Sequence, residues 1–182
     1  STLPYYQAAG HDKFLAVFGM LSYDITPALE ASTELRWNEQ HTICECGASA
    51  TWVTVTPRLT LAYRLPGSTQ VYMSAARGAR AGGFNDTSVP SEQQYGPESN
   101  WTYELGFKMA DEMRPVQATV AVFLADWSNM QLDQPSSDPA YFDSVTGNLG
   151  SARVTGLELS FDARPTSWSQ LRISYAHTDA SF

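Results

Sequence analysis

Three side chains able to bind a ligand follow one another at every second position in "DWSNMQ" (126–131). On a strand this spacing places Trp127, Asn129 and Gln131 on one face, where they would stack on and hydrogen-bond a small molecule. A simpler explanation, and the one we favour, is that Trp127 packs beneath a loop. The stretch nevertheless supplies three of the four candidate ligand-binding residues.

The fourth candidate is Arg80, in "RAGGFND" (80–86). Its guanidinium would bind an anionic group of a substrate. The competing and favoured explanation is geometric: Gly82 and Gly83 supply the backbone freedom with which the chain leaves a strand. The stretch lacks the lysine and the helix of a phosphate-binding loop.

Metal and catalytic patterns are weak in this sequence. Asp133, Asp138 and Asp143 offer the carboxylates that Ca²⁺ prefers, but they lack EF-hand spacing, and a solvated acidic loop explains them better. The three histidines stand apart from any recognisable Ser/His/Asp pattern; they are His11, His41 and His177. We therefore predict no catalytic residue, no metal site and no cofactor.

The two cysteines, Cys44 and Cys46, lie in "TICECGAS". Zinc would require four ligands, and no CxxC or HxxxH partner set accompanies them. They are either two loop thiols or a local disulfide.

The elements that position these residues are strands, because apolar side chains recur with a period of two. In "WTYELGFKM" (101–109) one face is entirely large and apolar, and the other carries Thr102, Glu104, Gly106 and Lys108. Similar alternation or strand-like composition predicts about eight strands, at 14–25, 29–37, 53–65, 70–80, 101–109, 116–124, 156–163 and 171–178. Short turns alternate with long loops at 38–51, 81–99 and 132–148, as in an up-and-down antiparallel sheet with two unlike ends.

Bulk composition narrows the function classes. The net charge of −8 and the pI near 4.7 argue against nucleic-acid binding. Charged residues make up only 16%, a low share for a soluble domain, and no apolar run is long enough for a membrane-spanning helix.

Three environments explain the alternation: a soluble sandwich, a soluble ligand-holding barrel, and a transmembrane barrel that is apolar outside and polar inside. The predicted strands, of about 9–13 residues, exceed the soluble mode of about 5–6 and suit a tilted membrane crossing of about 9–11. Aromatic side chains fall at both strand ends, as interfacial girdles do: Trp37 and Trp101 at one end, Tyr23, Tyr63 and Phe161 at the other. The transmembrane barrel is favoured.

Several stretches, in order, resemble successive barrel strands of TonB-dependent outer-membrane receptors. They are "FGMLSYDIT" (18–26), "VTPRLTLAYRL" (within 53–65), "VYMSAARGARAGGFND" (71–86), "PESNWTYELGFKM" (97–109), "AVFLADWSNMQL" (121–132) and "GNLGSARVTGLELSFDARP" (147–165). The resemblance implies an all-β, antiparallel, up-and-down transmembrane β-barrel of about 22 strands, closed by a separate plug. It further implies uptake of a scarce nutrient (ferric siderophore, cobalamin or glycan), energised through TonB with ExbB and ExbD, and no enzymatic activity.

On this basis residues 1–182 are expected to be a partial barrel in the bacterial outer membrane, in contact with its lipid, with the plug and the remaining strands outside this stretch. The final "YAHTDASF" resembles an internal strand rather than a terminal one. An oxidising location favours the Cys44–Cys46 disulfide. The rival hypotheses are a small eight-strand outer-membrane barrel with a hydrolytic or adhesive function, and a soluble β-sandwich binding module.

Overall fold

The computed structural model describes residues 10–111, 115–137 and 144–182. Within these ranges lie twelve strands and one short 3₁₀ helix, Pro90–Glu92. The strands are β1 Gly10–Asp24, β2 Leu29–Cys44, β3 Ser49–Leu65, β4 Thr69–Arg80, β5 Gly83–Phe84, β6 Gln94–Tyr95, β7 Glu98–Asp111, β8 Val116–Ser128, β9 Gln131–Pro135, β10 Ser144–Asn148, β11 Ser151–Thr166 and β12 Ser169–Ser181.

Eight long strands form one antiparallel sheet in the order β1-β2-β3-β4-β7-β8-β11-β12. Each long strand pairs with the next long strand along the chain, which confirms the predicted up-and-down topology. The sheet is open across the described residues, with β1 and β12 as its two edges. It is therefore not the closed eight-strand barrel of the rival hypothesis. Two further hairpins, β5–β6 and β9–β10, lie in the long connections.

The apolar face of the sheet is exposed rather than buried. Register places Leu61, Met73, Leu105, Val122 and Leu157 in one row across five strands. Met73 is 56% exposed, Leu105 54% and Val122 46%. Among the described residues no second layer covers this row, and the buried apolar side chains are small or peripheral. The soluble sandwich, which would bury these residues, is contradicted.

The opposite face, here called the inner face, is polar. Arg58 stands opposite Glu34 in the β2–β3 register. The Tyr72 hydroxyl donates to Glu104, and the Lys108 ammonium lies 4.6 Å from the centroid of the Tyr72 ring. The charged residues of these strands thus lie on the side away from the apolar row, where opposite charges or polar side chains are their neighbours.

The strands are longer than the alternation predicted, at 12 to 17 residues for the eight long ones. The clearest correction concerns the predicted loop 38–51: β2 continues to Cys44, β3 begins at Ser49, and a turn of only four residues joins them. Trp37 is consequently in the middle of β2, opposite Val17 and Val55, rather than at its end. Residues 38–42 of this extension are polar on both faces, so the period-two signal vanishes there although the strand pairing continues.

Part of the predicted turn at 111–115 lies outside the described residues. None of the helices in the described ranges is long and apolar enough to cross a membrane.

Candidate ligand-binding site at the long-loop end

Residues 81–97 pack against the described parts of the connection between β8 and β11, residues 129–137 and 144–150; we call these segments the loop pair. The Asn85 amide holds them together at one point, because its Nδ2 donates to the carbonyls of Glu92 (2.8 Å) and Thr146 (2.7 Å). The Thr146 backbone N–H donates back to Asn85 Oδ1 at 3.0 Å. One short side chain thereby satisfies backbone groups of both loops.

Asn148 makes a second link. Its Oδ1 accepts from the Gly96 N–H, and its Nδ2 donates to the carbonyls of Gly96 and Asn129, each at 2.9 Å. Because all three partners are backbone groups, Asn148 fixes the backbone path of both loops and not only the position of another side chain.

A third link joins Glu92 to residues 136 and 137. The Ser136 hydroxyl donates to one carboxylate oxygen of Glu92 at 2.7 Å, and the Ser137 N–H donates to the other at 2.9 Å. These bonds, the one from Ser136 first, lower the pKa of Glu92, because they favour its ionised form. The loop pair therefore includes one contact that depends on a charged carboxylate.

The loop pair leans over the inner face of the sheet. A Cβ atom at Gly82 would lie 2.8 Å from the ring of Trp52, which is on the inner face of β3 opposite Gln40. Glycine at position 82 is thus required by the close approach of loop and strand.

A small polar cleft of about 160 Å³ remains between the loop and the ends of β1 and β2. Its lining includes Asp12, Gln40, Thr42, Phe84 and Tyr95. Burial raises the pKa of the Tyr95 hydroxyl, with smaller contributions from Arg80, which lowers it, and from Asp133 and Asp12, which raise it. The cleft therefore presents the Tyr95 phenol and the Asp12 carboxylate, and the charges of Arg80 and Asp133 act on the phenol from outside the lining.

Arg80, the predicted anion-binding residue, is the last residue of β4 and is near enough to the cleft residue Tyr95 to lower its pKa. Its guanidinium lies 3.9 Å from Glu98 Oε1, at the outer limit of an ion pair, and its side chain is 69% exposed. Glu98 itself is buried and accepts the Gln131 N–H at 2.7 Å. The carboxylate is thus engaged with the loop, and Arg80 is open to an incoming ligand.

The other three candidates are arranged differently from the expectation of one common strand face. Trp127 is on the inner face of β8, between Asn100 and Ala152, and is half-buried. Strand β8 ends at Ser128, and Asn129 has a positive φ of 54°, so the chain turns before Gln131. The assignment of these residues to ligand binding remains a prediction.

Gln131 is committed to the loop pair. Its Nε2 donates to the carbonyls of Ala81 (2.7 Å) and Gly96 (3.0 Å), and its Oε1 is buried with no hydrogen-bond partner in the described part of the chain. The hydrogen bonds of Gln131 thus position the loops. Asn129, by contrast, is exposed to solvent.

Sequence reasoning missed the residues that build this site, above all Asn85, Glu92, Tyr95 and Asn148. Asn85 follows "GGF" and Asn148 precedes "LG", and asparagine beside glycine is a signal for side-chain-to-backbone hydrogen bonding in turns. That signal indicates a turn, but it does not say which distant backbone the amide will meet.

Cys44 lines the cleft at the end of β2, whereas Cys46 and the histidines are not among the cleft residues. Cys44 is the last residue of β2 and Cys46 lies within the β2–β3 turn, with Cα atoms 5.0 Å apart and the two sulfurs in bonding contact; the disulfide in the cell stays a prediction. His41 Nδ1 lies 3.0 Å from Thr51 Oγ1 on the apolar face. No metal-binding group of three or more suitable side chains occurs within the described ranges, while Asp138 and Asp143 lie outside them.

The chain was compared with known proteins. A family model described as TonB dependent receptor-like, beta-barrel, matches residues 2–182. The fold is similar to that of the ferric yersiniabactin uptake receptor FyuA of Yersinia pestis (TM-score 0.76, 20% identity), covering 95% of this chain and 27% of that one.

Two other solved structures are similar. The alcaligin outer-membrane receptor FauA of Bordetella pertussis has a TM-score of 0.70 and 19% identity over 94% of this chain and 31% of that one. The FrpB iron transporter of Neisseria meningitidis has a TM-score of 0.74 and 14% identity over 97% and 27%. The chain thus spans less than a third of the length of these proteins, and at these identities the likeness concerns the fold.

Proposed function

The chain belongs to the TonB-dependent receptor-like β-barrel family, and from this premise we propose that it is a wall segment of an outer-membrane receptor that takes up a scarce nutrient. The family consists of receptors and transporters rather than enzymes, which agrees with the prediction of no catalytic site and argues against the hydrolytic rival.

The observation that carries the proposal is the unequal pair of faces on one single-layered sheet. Met73, Leu105 and Val122 stand exposed on one side, and Arg58, Glu104 and Lys108 on the other. A charge in the apolar row would cost about 2–4 kcal/mol at a bilayer midplane, whereas the polar row requires water. Lipid outside and an aqueous channel inside satisfy both rows.

The substrate we propose is a ferric siderophore, with cobalamin or a glycan as the alternatives that the same architecture admits. Two of the similar structures are named as receptors for yersiniabactin and alcaligin, which supports iron chelates first. The cleft of about 160 Å³ is smaller than the 300 Å³ or so of a complete ligand pocket, so it would hold one polar arm of such a molecule.

Energy for uptake would come from TonB with ExbB and ExbD. These partners would act through a plug, and residues 1–182 would then be one part of the barrel around it, with further strands completing the wall. The loop pair, which leans over the channel mouth, would contact the substrate first.

The experiment uses the complete protein as the cell makes it. Arg80→Gln is expected to weaken binding of its ferric siderophore about ten- to a hundredfold, because one charge-assisted hydrogen bond is worth about 1.5–3 kcal/mol. Binding is measured by quenching of tryptophan fluorescence across a panel of iron chelates, cobalamin and oligosaccharides. Arg172→Gln is the control, since Arg172 is also exposed but pairs with Asp162 at the short-turn end.

Uptake of the bound ligand should stop in cells that lack TonB. Uptake that continues without TonB, or binding that Arg80→Gln and Arg172→Gln weaken equally, contradicts the proposal.

A further inference from the structure

The polar cleft of about 160 Å³ has one charged residue in its lining. That residue is Asp12, which stands opposite Thr42 in the β1–β2 register; the other described residues that line the cleft are neutral. Within the described ranges, none of the ion pairs includes the Asp12 carboxylate. The cleft therefore contains a negative charge that this part of the chain leaves unpaired.

Two further hydrogen-bond acceptors belong to the same lining. The Gln40 amide donates from Nε2 to Thr42 Oγ1 at 3.2 Å, and its Oε1 accepts no hydrogen bond from the described part of the chain. The Tyr95 phenol lies beside Gly83, where an added Cβ atom would be 2.6 Å from Tyr95 Cζ. Burial raises the pKa of this phenol above its ordinary value of 10.0, so the hydroxyl stays neutral and its oxygen can accept. With Asp12, the lining has three acceptors, which match the three donors of a primary ammonium group.

The charges just outside the lining oppose each other. Arg80 lowers the pKa of the Tyr95 phenol and Asp133 raises it, so both lie close enough to act on the cleft. With Asp12 included, two carboxylates face one guanidinium, and the excess is negative. An anionic group is therefore disfavoured inside the cleft, while the exposed Arg80 side chain favours an anionic group beside it.

The size of the cleft limits its occupant to the tip of a larger molecule. Since a water molecule takes up about 30 Å³ of the liquid, the cleft has room for about five groups of that size. This is the size of an ammonium group on a short alkyl stem. The rings of Phe84 and Tyr95 are also in the lining, and aromatic rings attract cations placed over their faces.

We propose that this cleft is a subsite for a primary ammonium group, and that the transported iron chelate therefore carries an amine arm. The second half of the inference rests on the proposed function. The Asp12 carboxylate binds the ammonium, and the Gln40 and Tyr95 oxygens accept its remaining N–H groups. A hydroxyl arm would leave the charge of Asp12 unpaired, and a carboxylate arm would be repelled by it. Arg80, outside the lining, binds an anionic part of the same molecule, so the substrate carries charges of both signs.

The test is saturation-transfer NMR of the complete protein in detergent, titrated with n-butylammonium, n-butanol or n-butyrate. The probes share one alkyl chain and differ in the terminal group. We expect n-butylammonium to bind about fivefold or more tightly than the other two. Asp12→Asn, which keeps the shape and removes the charge, should weaken its binding about tenfold. Tyr95→Phe, which keeps the ring, should weaken it about threefold. Glu39→Gln is the matched control, since it removes a carboxylate from the opposite face of β2, and should bind the probe like the wild type.

Competition links the cleft to transport. The iron chelate that the wild-type protein binds most tightly should displace n-butylammonium, and acetylation of its amine should weaken its binding about tenfold. A tightly bound chelate that has no amine overturns the inference about the substrate. Binding of the chelate without displacement overturns it in favour of another source of the ammonium, such as a lysine side chain of a partner.

The remaining outcomes separate the cleft from the proposed function. Failure of the wild type to bind n-butylammonium, or equal binding by the wild type and Asp12→Asn, overturns the ammonium subsite and leaves TonB-dependent uptake untouched. Equal binding of n-butanol overturns the ammonium in favour of a hydroxyl arm. Binding of n-butylammonium that depends on Asp12, in a protein that takes up no chelate, supports the subsite and overturns the proposed function.

Discussion

Leu105 and Thr102, three positions apart on β7, are on the two faces of the sheet that we propose to contact lipid and water, respectively. Leu105 is 54% exposed within a row of apolar side chains. Thr102 is on the inner face between Ala76 and Ala125. Because each side chain is in direct contact with its solvent, single substitutions report which solvent it is.

Leu105→Arg should abolish membrane assembly of the complete protein, whereas Thr102→Arg should be tolerated. An arginine on the lipid side costs about 2–4 kcal/mol near the midplane, and an arginine on the channel side remains hydrated. The measurement is the amount of heat-modifiable protein in the outer-membrane fraction. Equal amounts of the two variants would show that the faces are wrongly assigned.

Glu92 makes the loop pair sensitive to acid. Its pKa is lowered in the folded protein by the bonds from Ser136 and Ser137, so its contribution is complete above the ordinary carboxyl value of 4.5. The contribution is lost as the pH falls through the lower, folded-state pKa. Proteolytic nicking within the loop pair should therefore accelerate below about pH 4.5.

Glu92→Gln should flatten this pH dependence, since an amide offers one acceptor oxygen and does not titrate in this range. Glu45→Gln, in the exposed turn after β2, is the control and should leave the pH profile of nicking unchanged. A profile that both substitutions leave intact would assign the acid sensitivity to another group.

Single residues also show where sequence reasoning stops. The sequence predicted the face of the sheet on which Leu105 lies, because successive side chains of a strand point to opposite faces. Arg80 is open to solvent as its proposed role requires, but the cleft beside it depends on Tyr95 and Asp12, which are distant in sequence. Such contacts arise from the packing of loops, for which the sequence has no periodic signal.

On the scale of elements, strands β4, β7, β8 and β11 fit together through aromatic rings laid over glycines. The Tyr72 ring covers Gly106 on the adjacent strand, and the Phe123 ring covers Gly156. Each pair is directly opposed in register on the inner face. A missing side chain on one strand thus makes room for a large one on the next.

Gly106→Ala should destabilise the complete protein by about 1–3 kcal/mol, the usual cost of overpacking. The added methyl group would displace the Tyr72 ring and with it the hydroxyl bond to Glu104. Gly19→Ala is the control, since no atom lies within 4 Å of a Cβ atom at that position. The measurement is the urea concentration at which the protein unfolds from lipid vesicles; equal midpoints for both variants would contradict the packing argument.

The sequence predicted strands correctly where apolar and polar residues alternate clearly. Where the alternation is weak, the predicted strands are shorter than the observed ones. All eight long strands were located, yet β2 extends to Cys44 through residues that are polar on both faces. Backbone hydrogen bonds to β1 and β3 hold this part of β2 in the sheet. Such bonds do not require any pattern of side chains, so the sequence does not reveal them. The hairpins β5–β6 and β9–β10 are two and five residues per strand, too short for any periodic signal.

On the scale of the whole molecule, the sheet has two long edges. Strand β1 has 15 residues and β12 has 13, and each pairs on one side only within the described ranges. Exposed edges of this length are templates for further pairing. They are satisfied if additional strands continue the wall on both sides, as the proposed larger barrel requires.

We therefore expect residues 1–182, expressed alone and refolded in detergent, to fail to form a heat-resistant monomer. The backbone groups at both edges would stay unpaired or would pair between molecules. In an apolar environment, each unpaired backbone group destabilises the folded monomer by several kcal/mol. Light scattering should show mixed oligomers, and migration on gels should not change after heating. The complete protein, refolded in the same detergent, is the control. A monodisperse, heat-resistant monomer of the short chain would mean that β1 and β12 pair with each other, and that eight strands are a barrel in themselves.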